Sequence, residues 1–147
     1  MREVVNRYAS IDLFIPSEHH DRIGDFVSRS EKDTKPFARQ VDIWWAAIGV
    51  GVQAGYRTPL PEKEKLVKFN TGAILGTDPW RITQLELLAL SEEGEDVFEE
   101  PGRVVQIASE YAATGFPWLI EQMLGEAEPA LALMNKLEEQ LEPVDSA

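Results

Sequence analysis

No cysteine occurs in the chain. That removes disulfides, thiolate zinc sites and cysteine nucleophiles together. Histidine is nearly as scarce, with two residues, the adjacent pair His19–His20. Adjacent side chains on a helix diverge by about 100°, and a metal centre needs three or four converging ligands. The pair beside Glu18 and Asp21 therefore reads as surface residues at a helix start, with no metal site expected. The sequence also holds no G-x-S-x-G, Walker A, H-E-x-x-H or G-x-G-x-x-G motif. Continuous apolar runs of about 20 residues, as a membrane span requires, are missing too. The opening MREVVNRYASIDLF lacks the apolar core of a signal peptide, so cytoplasmic residence is expected.

What the chain has in quantity is acid. Its formal charge is −12 over 147 residues. Residues 1–60 hold eight Lys/Arg against eight Asp/Glu, so residues 61–147 carry the whole excess, with six basic against eighteen acidic groups. A field of that sign repels phosphate backbones, and residues 61–147 are not expected to bind nucleic acid. Basic residues cluster in the first part at Arg29, Lys32, Lys35 and Arg39, a candidate contact surface. The apolar content of 44% supplies one ordinary hydrophobic core, and the length suits a single domain.

The stretch ARQVDIWWAAIGVGVQAGY is the centre of that core. Over about residues 39–56 it is apolar on nearly every side, the mark of a helix buried all round. Ala47, Gly51 and Gly55 recur at i, i+4, i+8. Each glycine costs about 1 kcal/mol of helix propensity, and the expected return is close approach of a second backbone. Gly49-Val50-Gly51 lies within this helix, where its N–H groups are already used and cannot cradle phosphate.

Around this centre the spacing predicts a mainly α-helical bundle with one short strand. Ile11, Leu13 and Ile15 alternate with Asp12 and Phe14 before Pro16, a strand of period two. Ser17 with Glu18 opens a helix over about 17–29. Lys35–Pro36 closes a charged loop, and Arg57-Thr58-Pro59-Leu60-Pro61 is a turn. Residues 62–76 fit helix, strand or loop. Gly76-Thr77-Asp78-Pro79 starts a helix that carries Trp80, Ile82, Leu85, Leu88 and Ala89. Arg103 to Ala113 is helical, Thr114-Gly115-Phe116-Pro117 is expected to break it, and a further helix runs to Leu124. Leu131, Met134, Leu137 and Leu141 form a last stripe. The expected domain is 1–141, with 142–147 a flexible tail. Tryptophans 44, 45, 80 and 118 read as core.

Glu92, Glu93, Glu95, Asp96, Glu99 and Glu100 form an acidic loop anchored by Val97 and Phe98. It lacks EF-hand spacing, so it reads as a solvated surface with the capacity to dock a basic partner. Carboxylates are plentiful, yet none is placed by sequence in an apolar pocket that would tune it for acid–base work. No catalytic residue, metal or cofactor is therefore assigned. The strand–helix–helix order of residues 10–56 raises a second reading, a ribbon-helix-helix-like DNA-binding regulator acting as a dimer. Its strand has no Arg, Lys, Asn or Gln to read base edges. A third reading is a hydrolase using carboxylates.

Several stretches resemble one family. The I-x-L-F-I-P of Ile11–Pro16, then F-A-R-Q-V-D-I-W-W-A-A-I-G-V-G-V-Q-A-G of Phe37–Gly55 with P-L-P after it, are similar to the family called DNA phosphorothioation-associated protein 4. So are L-E-L-L-A-L-S-E-E-G (Leu85–Gly94) and I-A-S-E-Y-A-A-T-G-F (Ile107–Phe116). Together they span roughly residues 10–125. The resemblance implies a non-enzymatic accessory component of the antiviral systems that replace a non-bridging phosphate oxygen of DNA by sulfur and restrict unmodified DNA. It implies larger modification or restriction proteins as partners, with a homodimer also open to it. It brings no catalytic residues.

Overall fold

A computed structural model describes residues 6–30 and 32–141. The expected tail at 142–147 lies outside them. Five α-helices and a two-stranded sheet follow one another: β1 (Asp12–Pro16), α1 (Ser17–Ile23), α2 (Gln40–Ala54), β2 (Leu66–Thr71), α3 (Pro79–Glu93), α4 (Pro101–Met123) and α5 (Pro129–Leu141), with short 3₁₀ turns between them. The domain is mainly α-helical, as expected.

α2 is the hub. Val41, Ile43, Trp44, Ala47, Ile48 and Gly51 are all buried. It packs antiparallel along α4 at a distance that only small residues permit. A Cβ on Gly51 would lie 2.0 Å from the carbonyl oxygen of Tyr111, and a Cβ on Gly115 would lie 1.9 Å from that of Ala47. The small-residue stripe thus does bring two backbones together at Ala47 and Gly51. Gly55 does something else: it ends the helix in the left-handed region (φ 87°), its N–H donating back to the carbonyls of Gly51 and Val52. Glycine has no Cβ penalty there.

The N-terminal strand is present with its expected inward face, since Leu13 and Ile15 are fully buried while Asp12 is exposed. It does not stand alone. Residues 66–71, ambiguous from sequence, pair with it antiparallel from Asp12↔Thr71 to Pro16↔Leu66, with an irregularity between Leu13 and Phe14. Lys68 Nζ sits 3.0 Å from Asp12 across the ladder.

Two helix boundaries differ from expectation. The helix expected over 17–29 stops at Ile23, passes through a 3₁₀ turn at Gly24–Phe26 and ends in a bridge between Val27 and Phe37. At the other end of the chain, Thr114–Pro117 does not break a helix; α4 runs through it for 23 residues with Pro117 inside. Proline in a helix interior loses one backbone hydrogen bond and crowds the preceding turn. Here Pro117 is exposed, while Ile107, Ala108, Ala112, Phe116, Leu119, Ile120 and Met123 on both sides of it are buried. At about 1.5–3 kcal/mol for each fully buried large apolar side chain, that continuous face outweighs the local cost. α5 also presents a different stripe from the one expected: Leu133 is buried and Leu137 packs on the core, whereas Leu131 and Met134 face outward.

Candidate functional site

α2 and α3 both lie against α4 but scarcely touch one another along their backbones. What joins them is a cluster of side chains at their N-terminal ends. Asp42, in the first turn of α2, accepts from the Arg39 backbone N–H (3.1 Å) and from Arg39 Nε (3.1 Å) and Nη2 (2.9 Å). It also accepts from Arg81 Nη1 of α3 at 3.0 Å. Arg39 then bridges to α3, donating to Asp78 at 2.9 Å and to the Thr77 hydroxyl at 3.0 Å. Its hydrogen bonds to Asp42 and then Asp78 hold the Arg39 guanidinium above its ordinary pKa, and Arg39 in turn holds Asp78 below the usual carboxylate range.

The Arg81 guanidinium carbon lies 5.3 Å from the ring centroids of both Trp45 and Trp80, which meet edge to face at 5.4 Å. A cation flanked by two indole faces is held by their quadrupoles. Only Trp44 of the four tryptophans is wholly buried; Trp45 and Trp118 are half-buried, and Trp80 is exposed. The expectation that all four belong to the core therefore fails for Trp80, whose ring covers an arginine instead. Each carboxylate in this cluster faces a guanidinium, and the arrangement clamps two helices together.

Beyond the clamp α2 and α3 flank a groove of about 390 Å³, lined by Trp45, Ile48, Gly49 and Val52 from one helix and Gln84, Leu85, Leu87 and Leu88 from the other. Val52 and Leu87 are exposed. Periodicity alone did not identify this groove, because the same apolar residues would serve equally as core.

The acidic stretch proves to be divided. Glu92 and Glu93 end α3, and Glu95–Glu99 form a 3₁₀ turn. Glu92 accepts the Tyr111 hydroxyl hydrogen bond, and Glu93 takes Arg103 through both oxygens. Arg103 holds the Glu93 carboxyl below its ordinary pKa; the bond to Glu92, helped by burial, raises that of Tyr111. Glu95, Asp96, Glu99 and Glu100 remain exposed. Val97 is buried beneath them, and Arg7 donates to the carbonyl of Phe98.

The basic group divides as well. Arg29, Lys32 and Lys35 are exposed on one loop, closed at its base by Ser28–Phe37 and Phe37–Phe26 backbone bonds of 2.8 and 3.0 Å. Arg39 leaves that surface for the clamp. As for the histidines, His20 Nε2 lies 3.1 Å from Gln40. His19, expected at the surface, is buried and stacked on Phe116 at 5.6 Å, and its Nδ1 has no hydrogen-bond partner among the described residues. Helix α1 turns it toward α4, so burial lowers its pKa.

Among the described residues no group of three or more His, Asp or Glu is placed to hold a metal ion, and no helix is long and apolar enough to cross a membrane. The strand–helix–helix order is present as β1, α1 and α2, but β1 takes β2 of its own chain as its neighbour. No family model, curated protein or solved structure matches the chain.

Proposed function

We propose that this chain is a non-enzymatic, protein-binding accessory component of a DNA phosphorothioation-dependent defence system, acting in the cytoplasm through the larger modification or restriction proteins. The observation that carries the protein-binding reading is the groove between α2 and α3, where Val52 and Leu87 lie open at its rim. Exposed apolar surface bordered by polar groups is typical of interaction sites. Several half-buried ionisable groups support the same reading, since they are taken up in contacts between elements: Arg39, Asp42, Asp78 and Arg81 in the clamp, Arg57 with Glu110 at 3.3 Å, Tyr8 with Glu86.

The system itself is proposed from the resemblance, whose stretches lie in β1, α2, α3 and α4. The test is co-expression of a tagged chain with the modification and restriction proteins, followed by purification and mass determination. A stable complex of defined stoichiometry is the expected result. A chain that elutes alone, and instead binds duplex DNA in a salt-sensitive way, would favour the regulator and sink this reading.

A further inference from the structure

Gly49 occupies the middle of α2 on its exposed side, and a Cβ built there meets nothing within 4 Å. Glycine inside a helix is less favourable than alanine by about 1 kcal/mol. At Gly51 the packing of α4 requires it; at Gly49 nothing among the described residues does. The missing side chain opens the floor of the α2–α3 groove, with Trp45, Ile48 and Val52 on one wall and Leu87 and Leu88 on the other.

The groove has an electrical direction. Arg81 of α3 reaches Asp42 of α2, and Trp80 meets Trp45, so the two helices start together. The clamp at that end sets two guanidinium groups against two carboxylates. One turn beyond Leu88 stands Glu92, bonded to Tyr111, the residue whose backbone lies against Gly51. The far end therefore gathers Glu92, Glu93 and Glu110 with the exposed Glu95 and Asp96, against two cations, Arg103, which Glu93 binds, and Arg57, which lies 3.3 Å from Glu110, so carboxylates stay in excess. The last carbonyls of α2 and α3 add the negative ends of two helix dipoles.

Building on the partner-binding reading above, we infer that the α2–α3 groove receives an amphipathic helix of another protein, with its apolar face over Gly49 and its cationic residues toward the acidic end. Such helices bury anchors at i, i+3, i+4 and i+7, matching a long apolar trough better than a closed pocket does. A second copy of this chain fits poorly, because each copy carries a net charge of −12. An anionic membrane is repelled for the same reason.

The test uses Gly49→Leu, which fills the groove from a position with free space and favours helix, so its melting temperature is expected to be no lower than that of the parent. The probes are a synthetic amphipathic helix with leucines on one face and lysines on the other, and a twin with glutamates in place of lysines. Titration calorimetry on the parent chain should show one-to-one binding of the lysine peptide that weakens as salt is raised. Gly49→Leu and the glutamate twin should each lower affinity by about tenfold or more. Equal binding to Gly49→Leu would mean diffuse charge attraction and would overturn the inference, as would equal binding of the twin. Both chains are then carried through the co-purification above. A partner retained by Gly49→Leu defeats the groove assignment and leaves the partner reading standing. If neither chain retains a partner, that reading falls, and the peptide pair alone decides the groove.

Discussion

Gly51→Ala and Gly49→Ala make the same chemical change two residues apart on one helix, and the structure predicts opposite outcomes. Either alanine favours the helix by about 1 kcal/mol. At Gly49 the new methyl meets nothing within 4 Å, so that gain should survive. At Gly51 the Cβ would lie 2.0 Å from the Tyr111 carbonyl oxygen. Ordinary contact is over an ångström longer, and the obstacle is backbone, which cannot rotate away. α2 and α4 would have to separate where Gly51 meets Tyr111 and Ala47 meets Gly115, loosening the core that both helices share. Overpacking of this kind costs about 1–3 kcal/mol, occasionally more. A backbone obstacle puts the cost at the upper end, about 3 kcal/mol, so we expect Gly51→Ala to lose about 2 kcal/mol net and Gly49→Ala to gain up to about 1. Urea unfolding followed by circular dichroism gives both values, and a chain of this size should shift in melting temperature by about 2–4 °C per kcal/mol. A Gly51→Ala chain as stable as the parent would refute the close crossing of α2 on α4. Gly115→Ala, facing Ala47, is the independent check and should behave like Gly51→Ala.

Further outcomes follow from other parts of the molecule. Burial depresses the His19 pKa, so between the unfolded value of about 6.5 and the lower folded value the unfolded chain binds more protons. Stability should hold above about pH 6.5 and fall as the pH drops through the folded value; His19→Phe should flatten that fall, and an unchanged slope would exclude His19 as its cause. Asp42→Asn keeps the shape of the clamp but removes its central charge, leaving Arg81, whose side chain is only 11% exposed, without a full counter-ion. A loss of about 1–3 kcal/mol is expected by chemical denaturation, at the lower end of the usual cost for a broken buried pair because Arg39 is partly exposed. Pro117→Ala restores an N–H to the middle of α4 at an exposed position. It should stabilise by about 1 kcal/mol or more, and a loss would show that the proline matches a bend α4 needs.

The amino-acid order alone determined the helical class, the central place of residues 39–56 and the inward face of the first strand. These depend on local periodicity: apolar residues all round one helix and at alternate positions in one strand. It also marked Ala47 and Gly51 as points of backbone contact, because glycine in a helix needs a reason. The tertiary structure decided the rest. Residues 66–71 became a strand because β1 offered an edge, not through any pattern of their own. The long buried face of α4 carried the helix through Pro117, where local propensity predicts a break. Arg39 left the basic group because Asp78 and Thr77, far along the chain, folded onto it. The groove is likewise a matter of assembly: Val52 belongs to a helix expected to be buried all round, yet two helices resting on a third leave it exposed at the edge of a gap. Spacing along a chain records which face of an element is apolar, and only packing settles whether that face is covered.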